Sequence, residues 1–197
     1  MASVNDPEVG RVMRWLVVAA LVGASLSACA GQSAALSASG VPRVLLLYGD
    51  GQPDDQLSLA DSTYEALIRF DLKPEQGVPR RIWYRPAAPG SIQLAVYENS
   101  SLDGPGAVLE QHERAVPSDV DWTKHSGGWM VEDLTVFKPS TRPVTLWVGI
   151  KKLAETPALW CSDRDAGHYY MRSSHPQRRV SLVPVRRSPL VQLELLP

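Results

Sequence analysis

Apolar and polar residues alternate along most of this chain. In residues 64–72 every second residue is apolar, and Leu67 is the one apolar residue out of step. The same period of two recurs in residues 92–97, 144–150 and 190–196. Side chains of a β-strand point alternately to opposite faces, so this pattern predicts strands with one buried face.

Weaker alternation predicts five further strands. They cover residues 82–84, 108–116, 129–137, 168–171 and 179–185. At the strand predicted for residues 108–116, we expect Ala107, Leu109 and Ala115 on the inner face. Pro184 cannot donate a hydrogen bond to a neighbouring strand, so we expect the segment 179–185 to be an edge strand or a bent strand.

Turn residues separate these segments, and no segment has a convincing helical pattern. Sixteen prolines interrupt any long helix, and residues 65–68, which have some helical propensity, fit the period of two better. About nine or ten short strands at intervals of about 8–14 residues predict an all-β fold. We therefore predict an all-β domain, an antiparallel β-sandwich or barrel, over residues 43–197.

Several short motifs follow one another in a fixed order within residues 64–172. A strand at 91–97 precedes the Gly-Pro-Gly turn at 104–106, a Gly-Trp pair ends at Trp129, and a strand with Trp-x-Gly lies at 145–150. This order resembles the jelly-roll, galactose-binding-like modules of bacterial surface proteins. The motifs are structural rather than catalytic, so the resemblance implies an architecture and not a reaction.

The N-terminal region has the layout of a secretory signal peptide over residues 1–28. Arg11 and Arg14 precede the apolar stretch 15–25, and small residues lead to Cys29. The run Leu-Ser-Ala-Cys ending at Cys29 resembles a bacterial lipoprotein lipobox. The resemblance implies that a diacylglyceryl thioether forms on Cys29 and that the chain is cut before it.

Other interpretations of this region stay open. A transmembrane anchor needs about 20 mostly apolar residues, and the run 15–30 is short for that role. A cleaved signal peptide without a lipid is the second alternative. The acidic residues Asp6 and Glu8 do not suit the start of a signal peptide, so we expect residues 1–12 to be a start-site artefact, with translation beginning at Met13.

Residues 29–42 are small and mostly uncharged, which is typical of a flexible tether between the lipid and the domain. We expect the membrane to be a partner through the lipid on Cys29, which places the protein in the cell envelope. By analogy with enterobacterial lipoproteins, Ala30 after the cysteine implies an outer membrane, on its periplasmic or surface side, if the organism is Gram-negative.

Charge and cysteine content narrow the classes of partner. The chain has 20 Lys and Arg against 21 Asp and Glu, a net charge of −1, which argues against nucleic acid as a partner. If Cys29 carries a lipid, Cys161 has no second cysteine to pair with. We expect a buried thiol that acts as a small apolar side chain, with intermolecular pairing or reactivity as alternatives.

Aromatic residues are the candidate ligand-binding residues. Exposed Trp and Tyr rings stack on sugars, while nearby polar groups read the hydroxyls. Trp122 lies in the polar loop 119–125, so we expect its ring to be exposed, and Trp147, Trp160 and Tyr169 join it as candidates for a glycan site. The alternative is that these rings belong to the core.

Candidate chemistry beyond binding is sparse. Asp50, Asp54 and Asp55 form a weak calcium candidate, because the run lacks the spacing of an EF-hand and a solvated turn explains it equally. No cofactor is expected, and no nucleophile elbow, zinc-protease motif or phosphate loop occurs. We predict a binding module rather than an enzyme, with a structural or assembly lipoprotein that docks another envelope protein as the alternative.

Overall fold

The structure is a computed structural model that describes residues 31–36, 42–48, 50–59, 61–122, 128–163, 167–173 and 182–197. The predicted signal peptide and Cys29 lie outside the described residues. The strands are β1 (Gly31–Leu36), β2 (Pro42–Leu47), β3 (Asp55–Ser58), β4 (Tyr64–Leu72), β5 (Val78–Tyr84), β6 (Pro86–Ala88), β7 (Gly90–Asn99), β8 (Pro105–Val116), β9 (Met130–Asp133), β10 (Val144–Ala154), β11 (Ala158–Ser162), β12 (Tyr169–Ser173), β13 (Leu182–Pro184), β14 (Ser188–Pro189) and β15 (Val191–Leu196). A 3-10 turn spans Pro74–Gln76.

These strands form two large antiparallel sheets and a smaller one. The first sheet has the order β1-β2-β15-β5-β9, and the second has the order β13-β12-β4-β10-β7-β8. In the smaller sheet β11 pairs with β14, β3 and β6. The predicted all-β, antiparallel sandwich is confirmed.

The core lies between the inner faces of the two large sheets. The alternating residues of β4, Ala66, Ile68 and Phe70, are fully buried there, and they meet Ile82 and Leu193 of the first sheet in one apolar cluster. Burial of alternate residues is what the period of two demands, because only one face of each strand turns toward the partner sheet.

Leu67, the residue out of step in β4, is also fully buried, but on the opposite face of the sheet. There it packs with Ala95, Tyr97 and Trp147 in a second apolar cluster. The central strands of the second sheet therefore bury side chains on both faces, which explains why their sequence departs from strict alternation.

The N-terminal tether differs from the prediction. Gly31–Leu36 forms β1 and pairs antiparallel with β2, from Gly31 opposite Leu47 to Leu36 opposite Pro42. The prediction of a structureless tether is therefore wrong for these six residues. The open edge of β2 offers backbone donors and acceptors that even a low-complexity segment can satisfy, because ladder hydrogen bonds do not depend on side chains.

The inner face of β8 is the reverse of the one predicted. Glu110 and His112 lie opposite core residues of β7, and so they share the inner face. Ala107, Leu109 and Ala115 are exposed. The prediction is wrong because the inner positions of this edge strand meet charged groups of the other sheet, so polarity does not mark the outer face here.

Those charged groups form a polar seam between the edge strands β8 and β9, made of Glu110, His112, Arg114, Glu132 and Thr135. Glu132 is 3% exposed and accepts hydrogen bonds of 2.8 and 2.7 Å from Arg114 Nε. His112 Nε2 lies 3.2 Å from Glu110 Oε1, and Glu110 accepts the Thr135 N–H at 3.1 Å. The seam closes one side of the sandwich with paired charges rather than apolar contact.

Pro184 lies in β13, at the outer edge of the second sheet. The prediction of an edge strand is thus confirmed, since a proline there leaves no ladder hydrogen bond unmade. Within the described part of the chain, we find no helical segment with the length and hydropathy that crossing a bilayer requires.

Leu94 tests the register of the core. It is fully buried in β7, so Leu94→Ala should lower the free energy of unfolding by about 2–5 kcal/mol, through lost apolar contact and a residual cavity. The matched control is Leu102→Ala, because Leu102 is 92% exposed in the β7–β8 turn; it should change stability by less than about 0.5 kcal/mol. Urea unfolding measures both, and equal effects would contradict the register.

Candidate ligand-binding cleft

The four aromatic residues predicted to bind a ligand are all buried. Trp122 is 6% exposed, Trp147 1%, Trp160 5% and Tyr169 1%. Stacking on a sugar needs an accessible ring face, and these rings offer almost none. The structure therefore does not bring them together into an exposed aromatic platform.

The expectation that the ring of Trp122 is exposed is wrong. Its Nε1 donates to the carbonyl oxygen of Pro117 at 2.6 Å, and its own carbonyl oxygen accepts from Trp160 Nε1 at 2.9 Å. Trp160 in turn packs in an apolar cluster with Ala158 and Leu190. A polar sequence neighbourhood did not predict this burial, because it gives no sign of the hydrogen bond from Trp160, which is distant in the chain.

Trp147 and Tyr169 are buried on different faces of the second sheet. Trp147 lies in the outer cluster with Leu67, where its Nε1 donates to Asn99 Oδ1 at 2.8 Å and Tyr170 approaches its ring edge-on at 5.3 Å. Tyr169 belongs to the main core, where burial raises the pKa of its hydroxyl above the ordinary value. Both residues are structural parts of the sandwich.

The acidic residues proposed for calcium separate in the structure. Asp50 and Asp54 lie close to Asp163, with one carboxylate oxygen of each residue within 4.8 Å of the others. Asp55 instead forms an ion pair with Arg187. Exposed carboxylates often gather in this way without a metal, and we assign no ion to them.

A cleft opens at one end of the sandwich, where strands of both large sheets begin or end. The space in it that a water-sized sphere can occupy is about 50 Å³. Its lining residues are Leu72, Lys73, Pro74, Gly77, Pro79, Phe137, Lys138, Ser140, Arg142, Val144 and Leu146. Ligand clefts in proteins usually enclose about 300–1,000 Å³, so this smaller space suits a small group or one end of a longer ligand.

The floor of the cleft is apolar. Leu72 is 6% exposed and Leu146 is 2% exposed, and Pro79 is buried beside them. Phe137 is half-buried and packs against the main core. These side chains offer no hydrogen-bonding groups, so the floor can accept only an apolar group at low cost.

The rim of the cleft is positively charged. Lys73, Lys138 and Arg142 are exposed lining residues, and the lining includes no carboxylate. Among the described residues, none of these three cations takes part in an ion pair. Their charges therefore add rather than cancel at the mouth of the cleft, which favours an anion there.

Local backbone constraints shape the cleft before any ligand arrives. Gly77 has φ +103°, and a Cβ at this position would collide with the carbonyl oxygen of Leu196, so only glycine fits. The Ser140 hydroxyl donates to the carbonyl oxygen of Arg142 at 2.9 Å and accepts its N–H at 3.2 Å, which fixes the turn that carries Arg142. A pre-formed cleft loses little conformational entropy on binding.

The cleft could hardly be predicted from the sequence. Its lining comes from the end of β4, the start of β5, the loop after β9 and the start of β10, and these segments are distant in the chain. The one local sign is the run of prolines and basic residues at 137–143, which reads only as a turn. Pro79 pairs with Leu195, so the cleft lies at the end of the first sheet where β1 meets Pro42.

Cys161 is 1% exposed in β11, so the predicted buried thiol is confirmed. Burial raises the pKa of this thiol from 9.0 to about 12. The neutral thiol is thus the form that the fold favours, and the stability it contributes is present below pH 9.0 and lost as the pH rises toward 12.

In a Cys29→Ser chain, where Cys161 is the remaining cysteine, a thiol reagent at pH 8 should react at least about tenfold more slowly with the native than with the urea-unfolded protein. The reaction is followed by the absorbance of the thiolate that the reagent releases when it modifies Cys161. Equal rates in the two states would contradict the burial of Cys161.

Comparison of the chain with protein-family models, curated proteins and solved structures gave no match. The assignment of a function accordingly depends on the geometry and charge of the chain itself. The cleft is the feature of the described residues that best combines space, an apolar floor and uncompensated charge.

Proposed function

We propose that this chain is a lipid-anchored binding module of the bacterial cell envelope, with the lipid on Cys29 and the ligand in the end cleft. The observation that carries the proposal is the cleft itself, an apolar floor beneath a rim of three cations. A rigid sandwich that presents such a cleft at one end is suited to binding, because the site is held by the ends of core strands.

The anchor part of the proposal is supported by the sequence. A basic flank, an apolar stretch and small residues before Cys29 are the layout that lipid modification and signal cleavage require. A single acyl chain binds membranes only marginally, whereas a diacyl thioether supplies two chains and stable anchoring. The protein would then act within reach of the membrane surface.

A glycan was expected as the ligand because aromatic rings were predicted to be exposed, and the structure does not expose them. Trp122, Trp147, Trp160 and Tyr169 were expected to present ring faces, and all four are buried. The resemblance to galactose-binding-like modules stays a prediction at the level of architecture. Ligand binding is therefore proposed at the cleft, and a glycan is one of the outcomes that its tests must separate.

A second candidate function is docking of another envelope protein. It is favoured by exposed apolar side chains on edge strands of both large sheets: Val108 is 51% exposed on β8, and Val131 is 44% exposed on β9. Edge strands with exposed apolar residues are places where another chain can add to a sheet.

The anchor is tested by substitution of the lipidated cysteine. Cys29→Ser should abolish incorporation of an alkyne-tagged fatty acid and leave the precursor uncleaved, because no thioether can form. In-gel fluorescence after metabolic labelling reads the result, and Cys161→Ser is the matched control that should label like the parent chain. Equal labelling of Cys29→Ser would remove the lipid anchor from the proposal.

The cleft is tested by filling it. Val144 is 36% exposed and lines the cleft, so Val144→Trp should occupy the space and reduce binding of isolated envelope fractions at least about tenfold. Val136→Trp is the matched control, because Val136 is 46% exposed outside the cleft. Methyl NMR of the Cys29→Ser mature chain follows binding. If no fraction shifts cleft resonances in the parent chain, the binding function fails.

A further inference from the structure

We infer that the cleft takes a monomeric anionic amphiphile: one end of a single apolar chain enters the cleft, and the carboxylate or phosphate that the chain bears stays at the rim. This deepens the proposed function and rests on it, because it names the class of ligand for the same site.

The floor selects for an apolar group. Val144 is 36% exposed and Phe137 is half-buried, so these two side chains offer the apolar surface that a ligand can contact, while Leu72, Pro79 and Leu146 are buried. A neutral sugar placed here would lose hydrogen bonds from its hydroxyls to water and find no replacement on these side chains. Burial of an unmatched polar group is costly in a protein, so the floor disfavours a sugar ring and favours a hydrocarbon.

The rim selects for an anion. Lys73, Lys138 and Arg142 line the cleft and no carboxylate does, although the exposed Glu75 follows the lining residue Pro74 in the chain. Asp71 is already engaged, since its Oδ1 accepts from Thr145 Oγ1 at 2.6 Å and from Arg69 Nε at 3.0 Å. Hydrogen bonds between a cationic donor and a carboxylate or phosphate are among the strongest in proteins.

The Ser140 hydroxyl does not change this preference. It is used twice within its own turn, as a donor to the Arg142 carbonyl and as an acceptor of the Arg142 N–H. The turn consequently holds Arg142 at the rim, and the side-chain donors left for a ligand are those of the three cations. A ligand with one compact anionic group meets them, whereas a ligand with many neutral hydroxyls does not.

The shape of the site favours a single molecule over a bilayer surface. Binding to a membrane surface uses a flat basic patch or an amphipathic helix that lies on the headgroups. Here the apolar residues are recessed, with Leu146 only 2% exposed, beneath a rim of cations. A chain must leave its bilayer or micelle to reach that floor, so the proposal commits to the monomer.

Decanoate, below its micelle concentration, is the probe. Added to the mature chain with Cys29→Ser, which keeps every described strand, it should shift the methyl resonances of Leu72, Val144 and Leu146. Decanol carries the chain without the charge, and acetate carries the charge without the chain. Both should bind at least about tenfold more weakly than decanoate, because each lacks one half of the recognition.

Substitution of the rim cations tests the charge directly. Lys138→Ala and Arg142→Ala should each weaken decanoate binding about fivefold, the scale of an exposed charge contact, and added salt should weaken it in the parent chain. Arg186→Ala is the matched control, because Arg186 is an exposed arginine that does not line the cleft. Unfolding midpoints near that of the parent confirm that the variants fold.

Three further probes decide between ligand classes. Shifts of the same methyl groups by chitotetraose or tetragalacturonate, with none from decanoate, would overturn the amphiphile and leave a cleft-binding module intact. Sedimentation with phosphatidylglycerol vesicles, without decanoate binding, would assign the basic rim to a membrane surface and overturn the monomer. Val144→Trp that abolishes decanoate binding, while Val136→Trp does not, would support the proposal.

Discussion

Apolar contact between the inner faces of the two large sheets is the constraint on which the rest of the structure depends. Ile68, Leu94 and Val148 from one sheet and Ile82 and Leu193 from the other are fully buried in one cluster. This packing fixes which face of each strand turns inward. The apolar contact does not extend to the β8–β9 edge, which the polar seam closes. It also does not extend to the end of the strands where the cleft opens. The functional features of the molecule therefore lie at the boundaries of its core.

The part of the fold that could be predicted is the part that local pattern encodes. β4 has the bounds that alternation predicted, from Tyr64 to Leu72, and Pro184 marks an edge strand. Period two follows from strand geometry alone, and a proline excludes a central position by its own chemistry. Leu67 breaks the alternation because the central strand β4 buries side chains on both faces. This meaning of the exception becomes clear only once the neighbouring strands are known.

The part that could not be predicted depends on contacts between distant residues. Glu132 and Arg114 turn the polar face of β8 inward, so the rule that polar residues face water gave the wrong face. Trp122 lies in a polar loop, yet its ring is buried, and its carbonyl oxygen accepts a hydrogen bond from the distant Trp160. The cleft assembles from four separate segments, each of which alone looks like a strand end or a turn. Burial and concavity are properties of the assembled chain, and no local pattern carries them.

Strand β1 has a consequence for how the domain is oriented. A lipid on Cys29 would be joined to Gly31 by at most about 7 Å of chain, at the end of the first sheet opposite the one where Leu36 pairs with Pro42. The cleft lies at the end where Leu36 pairs with Pro42, roughly 17–20 Å from Gly31 along the strands. An anchored molecule would thus stand on the bilayer with its cleft pointing outward. It would receive its ligands from the aqueous side.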